Sequence, residues 1–154
     1  MSERKLEVWE PIENFNGSLH FKEMIYGEEG LKFIFNDNLE NEFHFTYGEF
    51  RNGMFVWAVR FTEEFKRGDL VEIASEARKT AFGPDNKEWC FYKMTDSDFI
   101  GWHDQLSGPG SEAFSVEHHL FMTTQDTFEV ISEYEPKVTN IKKKESNKSL
   151  RRGN

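Results

Sequence analysis

The sequence predicts an α+β fold, a mainly antiparallel sheet with two or three helices packed against it. Three observations carry that prediction. In the first half, apolar runs of strand length alternate with turn residues; after Thr62 the apolar period lengthens to that of a helix; and the last third twice sets a short apolar strand before a capped, helix-like run. Helices that follow strands in this way bury their apolar side on a sheet.

Taken in order, residues 19–26 read as a strand, Gly27-Glu28-Glu29-Gly30 as a turn, 31–36 as a second strand and Asp37-Asn38 as a second turn, which suits two antiparallel hairpins. Residues 41–47 alternate, with Phe43, Phe45 and Tyr47 on one side and Glu42, His44 and Thr46 on a side expected to be wet. Arg51-Asn52-Gly53 makes a turn, and residues 54–61, apolar on both faces, read as a central strand covered on each side. Leu70, Ile73, Ala74, Ala77 and Ala81 fall at helical spacing, with Asp69 and Glu72 placed to cap the start and Gly83-Pro84 the stop. Residues 89–94 form a buried strand, Thr95-Asp96-Ser97 caps a helix bearing Phe99, Trp102 and Leu106 on one face, and Ser107-Gly108-Pro109-Gly110 ends it. The last unit reads as strand 119–122, a cap from Thr123 and Asp126, and an amphipathic helix through Phe128, Val130, Ile131 and Tyr134 that Pro136 terminates.

Its 154 residues suit one domain, expected over 1–141, and 16 Phe with 4 Trp supply much of the core volume. The single Cys90 excludes an intramolecular disulfide and points to a reducing compartment. The first residues lack an apolar stretch of signal-peptide length, and no run approaches the roughly 18 apolar residues of a membrane span, so a cytoplasmic protein away from membranes is expected. Net charge is −9, unevenly spread: residues 142–154 hold six Lys/Arg and one acid, the other 141 residues 13 bases and 27 acids, so the body stands near −14 and the tail at +5. The tail is expected to be disordered. An acidic body repels nucleic-acid backbone and attracts basic partners, although the same charge also serves solubility.

No residue constellation compels a chemistry, and no catalytic residue is assigned. His118 and His119, with His103, Asp104 and Glu117, could in principle hold a metal, but neighbouring strand residues point to opposite faces, so no metal site and no cofactor is expected. There is no nucleophile elbow, phosphate-binding glycine loop or zinc-type cysteine pair. Phe and Trp are interleaved with acids, the wrong sign for binding single-stranded nucleic acid and the right one for a basic protein surface. The candidate contact residues are therefore Asp37, Glu40, Glu42, Glu63 and Glu64, acids at strand ends and turns.

Three stretches in order, VRFTEEF at 59–65, WCFYKMTDSDFIGWHDQLSG at 89–108 and HLFMTTQDTFEVISEYEPKV at 119–138, resemble a group of small proteins of Bacillus-type bacteria, several of which look like immunity proteins encoded beside polymorphic toxins. The resemblance covers about half the chain; the Gly/Pro-rich link at Gly108 to Gly110 and the basic tail depart from it. It implies an aromatic strand, a short helix with a Trp, and a strand leading to a helix that ends at Glu135-Pro136. It also implies a non-enzymatic protein that binds and neutralises a cognate toxin, often a basic nuclease. Two other classes stay open at this point: a small hydrolase or ligand-binding domain with an aromatic pocket, and an acidic anti-defence inhibitor that mimics DNA.

Overall fold

The computed structural model describes residues 3–15, 17–85 and 87–142. They form two antiparallel sheets with a helical layer on one outer face, so the α+β prediction holds. Nine strands run β1 Lys5–Val8, β2 His20–Gly27, β3 Gly30–Asn36, β4 Asn41–Tyr47, β5 Ala58–Glu63, β6 Phe91–Thr95, β7 Glu117–Met122, β8 Asp126–Ser132 and β9 Lys137–Lys142. The order is β1-β6-β7-β8-β5 in one sheet and β2-β3-β4-β9 in the other. Helix α1 spans Val71–Phe82 and α2 Asp98–Asp104.

The core lies between the sheets. Alternation in β3 and β4 turns Phe33, Phe35 and Phe45 inward, where they meet Phe91, Phe121 and Phe128 with ring centroids 5.1 to 5.6 Å apart. Such aromatic pairs add about 0.5–1.5 kcal/mol each beyond the area they bury. Glu42, His44 and Thr46 point the other way and stay partly exposed, as their alternation requires. On the far face of the five-stranded sheet, α1 buries its own Ala74 and Ala77 together with Leu70 at its N-cap, and Arg78 donates to the Tyr92 hydroxyl at 3.0 Å.

The two expected hairpins form. At the first turn Gly30 is obligatory, since its φ is +108° and an added Cβ would sit 2.2 Å from the Tyr47 carbonyl oxygen. Arg51 and Met54 pair across the turn at Asn52-Gly53, both with positive φ. Ser97 caps α2, accepting from the Ile100 amide at 3.0 Å.

Three expectations need correction, and three elements escape the sequence reading. Residues 126–132 are not a helix but strand β8, hairpinned to β7: the Thr123 hydroxyl accepts from the amides of Gln125 and Asp126, yet it closes a strand turn instead of opening a helix. The β-branched Thr127, Val130 and Ile131 are buried there, because the strand is covered on both faces. Residues 54–61 do not make a central strand; β5 starts at Ala58 and lies at the sheet edge, with Phe61 63% exposed. Asp69 does not cap α1, whose N-cap is Leu70 without a side-chain bond, and instead binds Arg67 and Arg4. The run Glu64–Leu70 before α1 is a 3₁₀ segment, and β1 and β9 complete sheets that sequence reading left without them. Lys142 closes β9; the rest of the expected tail, 143–154, lies outside the described residues.

Candidate functional site

The two groups of candidate acids, distant in sequence, meet at one end of the sandwich. Between them runs a chain of hydrogen bonds. His20 bonds the Asn38 side-chain oxygen through Nε2 at 2.7 Å and the Thr124 hydroxyl through Nδ1 at 3.3 Å, Thr124 donates its amide to the Leu19 carbonyl at 3.0 Å, and Glu64 donates its amide to the Gln125 carbonyl at 2.9 Å. The β3–β4 turn, the start of β2, the β7–β8 turn and the end of β5 thus form one continuous surface.

The five acids play different parts on it. Asp37 is committed to its turn: Oδ1 accepts from the amides of Leu39 and Asn41 at 2.8 and 2.9 Å, and Oδ2 from the Asn41 side chain at 2.8 Å. Glu42 accepts from His44 at 2.9 Å and Lys22 at 2.6 Å, and those bonds, His44 first, hold its carboxyl below the ordinary value. Glu40 is exposed at the turn with a φ of 65°. Glu63 and Glu64 are exposed, and Glu63 sits opposite Asp126 across the β5–β8 ladder. Among the described residues neither Glu63 nor Asp126 has a cation within ion-pair distance. Like charges directly opposite on neighbouring strands repel.

Apolar groups interleave with these carboxylates. Phe65 is 92% exposed and Leu39 is exposed as well. From there an apolar slot runs between the edge strands β2 and β5. Phe128 forms its floor, with Phe21 4.6 Å and Phe61 5.7 Å from it by ring centroids. Further along, Met24, Tyr26, Trp57 and Val59 line a hollow of about 320 Å³. Sequence reading missed Phe61, Phe65 and Tyr26 as surface groups. The signal available was the pair of aromatics bracketing Glu63-Glu64 in FTEEF, which a buried strand does not need.

A second polar cluster lies beneath the helical layer. Glu129 on β8 is fully buried and takes a bidentate pair from Arg60, both bonds 2.8 Å, a bond from Arg67, and a bond from His118 Nε2 at 2.8 Å. Burial opposes its ionisation, but the bonds from His118 and Arg60 outweigh it and hold the carboxyl at about 2. His118 Nδ1 meets the Ser97 hydroxyl at 2.7 Å. His119, one residue on, points to the opposite face, where Nδ1 meets the Tyr47 hydroxyl at 2.7 Å and Nε2 meets Glu117 at 2.9 Å. Burial lowers the His119 pKa; its bond and the Lys93 charge hold Glu117 at about 2.

The adjacent histidines therefore serve two separate networks, and among the described residues no three His, Cys, Asp or Glu side chains are grouped to hold a metal ion. Nor, among those residues, is any helix long and apolar enough to cross a membrane. No family model matches the chain, and neither a curated protein nor a solved structure does.

Proposed function

We propose that this chain is a non-enzymatic, immunity-type protein that binds and neutralises a basic protein toxin, nuclease-like in its charge, inside the cytoplasm. One observation carries the reading: the sandwich gathers exposed acids, Glu40, Glu63 and Glu64, and exposed apolar groups, Leu39 and the aromatics Phe61 and Phe65, on a single open end. Acids steer a cationic partner and aromatics supply the dry contact. A stable complex needs about 800 Å² from each side, within which a few anchors carry most of the energy. An acidic DNA mimic aimed at a defence nuclease would use the same surface, so the captured partner separates the two.

Pull-down from the native host should yield a basic protein in stoichiometric amount. With that partner purified, Glu63→Lys combined with Glu64→Lys should slow association about tenfold or more at about 10 mM ionic strength and little at about 1 M, where the Debye length falls to about 3 Å. Equal rates at low ionic strength would remove these acids from the interface.

A second reading, a serine-type hydrolase, is favoured by the bonds from Ser97 through His118 to Glu129, with Ser97 and His118 lining a cleft of about 600 Å³. Nucleophile, base and carboxylate in that order are what acyl transfer uses. Against it, the Ser97 hydroxyl already caps α2 and Glu129 is shared with two guanidinium groups, so the same bonds suffice to dock α2 on the sheet. Turnover of a short p-nitrophenyl ester, abolished by Ser97→Ala in a folded protein, would establish the hydrolase; no turnover by either protein removes it.

A further inference from the structure

We infer that β5 is a docking edge that accepts an extended segment of the partner as an added strand, with alternate apolar side chains entering the slot and a Lys or Arg at the Glu63 end. This deepens the partner-binding reading and rests on it.

Of the four sheet edges among the described residues, three are protected. β1 is four residues long and packs against α1. β2 loses register between Phe21 and Glu23, which interrupts its ladder. β9 follows Pro136 and begins with Lys137. Short edges, bulges, prolines and lysines are the usual guards against strand addition. β5 has none of them. Its pairing to β8 runs without a break from Ala58 to Glu63, and among the described residues no other strand pairs with it. Its one cation, Arg60, is drawn away from the edge by the bidentate bond to buried Glu129.

The register specifies the occupant. Val59, Phe61 and Glu63 share the face that carries Val130, Phe128 and Asp126 on β8. A strand laid along β5 would therefore place two alternate apolar residues beside Val59 and Phe61, over the slot that Met24 and Tyr26 wall on the far side. Its next inward residue would stand beside Glu63, whose repulsion from Asp126 only a cation relieves. Charge thus selects a basic segment, and an acidic body disfavours a second copy of this chain.

The probes are peptides of about seven residues, a typical strand length, alternating valine and threonine with two arginines at one end or the other, and the same peptides with glutamates instead. Each is added to the full chain at about 10 mM ionic strength, where surface charge is least screened, and amide exchange is followed by NMR. The arginine peptide should slow exchange of alternate β5 amides about tenfold or more. Phe61→Lys should abolish that protection at a cost of only about 1–6 °C in melting temperature, from the lost stacking on Phe128, and Glu63→Lys should weaken it. The inference is overturned by unprotected β5 amides, by equal protection from the glutamate peptide, or by protection that rises with protein concentration alone, which would mean self-pairing. If β5 stays unprotected while Glu63→Lys with Glu64→Lys still slows association with a basic partner, the strand mode falls and the partner-binding reading stands.

Discussion

Glu129→Gln tests the buried network most directly, because it keeps the side chain's volume and removes its charge. Glu129 is 0% exposed, and three donors converge on it from β5, β7 and the 3₁₀ segment. Breaking a buried ion pair from one side costs about 3–5 kcal/mol, since the partner charge stays buried. Here the low end applies: the Arg60 side chain is 36% exposed and can turn to water, and Arg67 keeps Asp69 at 3.1 Å. A second route gives the same size. Folding lowers the carboxyl from 4.5 to about 2, which at 1.36 kcal/mol per pKa unit is about 3 kcal/mol. Because the folded pKa is depressed, this contribution is complete above about pH 4.5 and is lost as pH falls through about 2. Urea unfolding should therefore show Glu129→Gln about 3 kcal/mol less stable at pH 7, with the gap shrinking to less than half at about pH 3. The corresponding drop in melting temperature is about 6–12 °C at this chain length. A gap below about 1 kcal/mol at pH 7, or one of equal size at both pH values, would refute the ion-pair account.

Two further substitutions probe the core and the surface. Tyr47→Phe deletes the hydroxyl that meets His119 Nδ1 and leaves a fully buried ring nitrogen without its partner; thermal or urea unfolding should register a loss of about 1–3 kcal/mol. Phe65→Ala, at a residue 92% exposed, should leave unfolding within about 0.5 kcal/mol of the parent. It should nonetheless cost about 2 kcal/mol or more in affinity for the basic partner by calorimetry, the size expected of an aromatic anchor.

The parts of the fold legible in the sequence are those set by local chemistry. The turns at Gly27-Glu28-Glu29-Gly30 and Asp37-Asn38 announce their hairpins, and Ser97 announces α2, because each needs only residues within a few positions. β8 was not legible. Phe128, Ile131 and Tyr134 at intervals of three mimic a helical stripe, with Glu129 taking the solvent side. What makes Glu129 an interior residue is Arg60 and Arg67, 69 and 62 residues away, and no local pattern shows that pairing. The same limit applies to the candidate site. Acidic character at Glu40, Glu63 and Glu64 could be read directly, but their sharing one end depends on the His20 and Thr124 bonds that join the two sheets there. Composition also could not separate Asp37, locked in its own turn, from acids open to a partner.

Which strand lies at an edge is a property of sheet order alone, and β5 shows how that order changes the meaning of a residue. An apolar run with one arginine reads as a buried strand, since apolar side chains on both faces suggest cover on both. In the folded chain one of those faces lies under the helical layer and the other opens on the slot beside β2. Arg60, which would guard such an edge if its guanidinium stood over it, is held instead by Glu129 beneath the helices. The buried carboxylate therefore has two consequences: it fixes the helical layer to the sheet, and it draws the one cation of β5 away from the open edge. An edge stripped of its guard, flanked by Phe61 and Phe65 and ending where Glu63 opposes Asp126, has the charge that the proposed basic segment would complement.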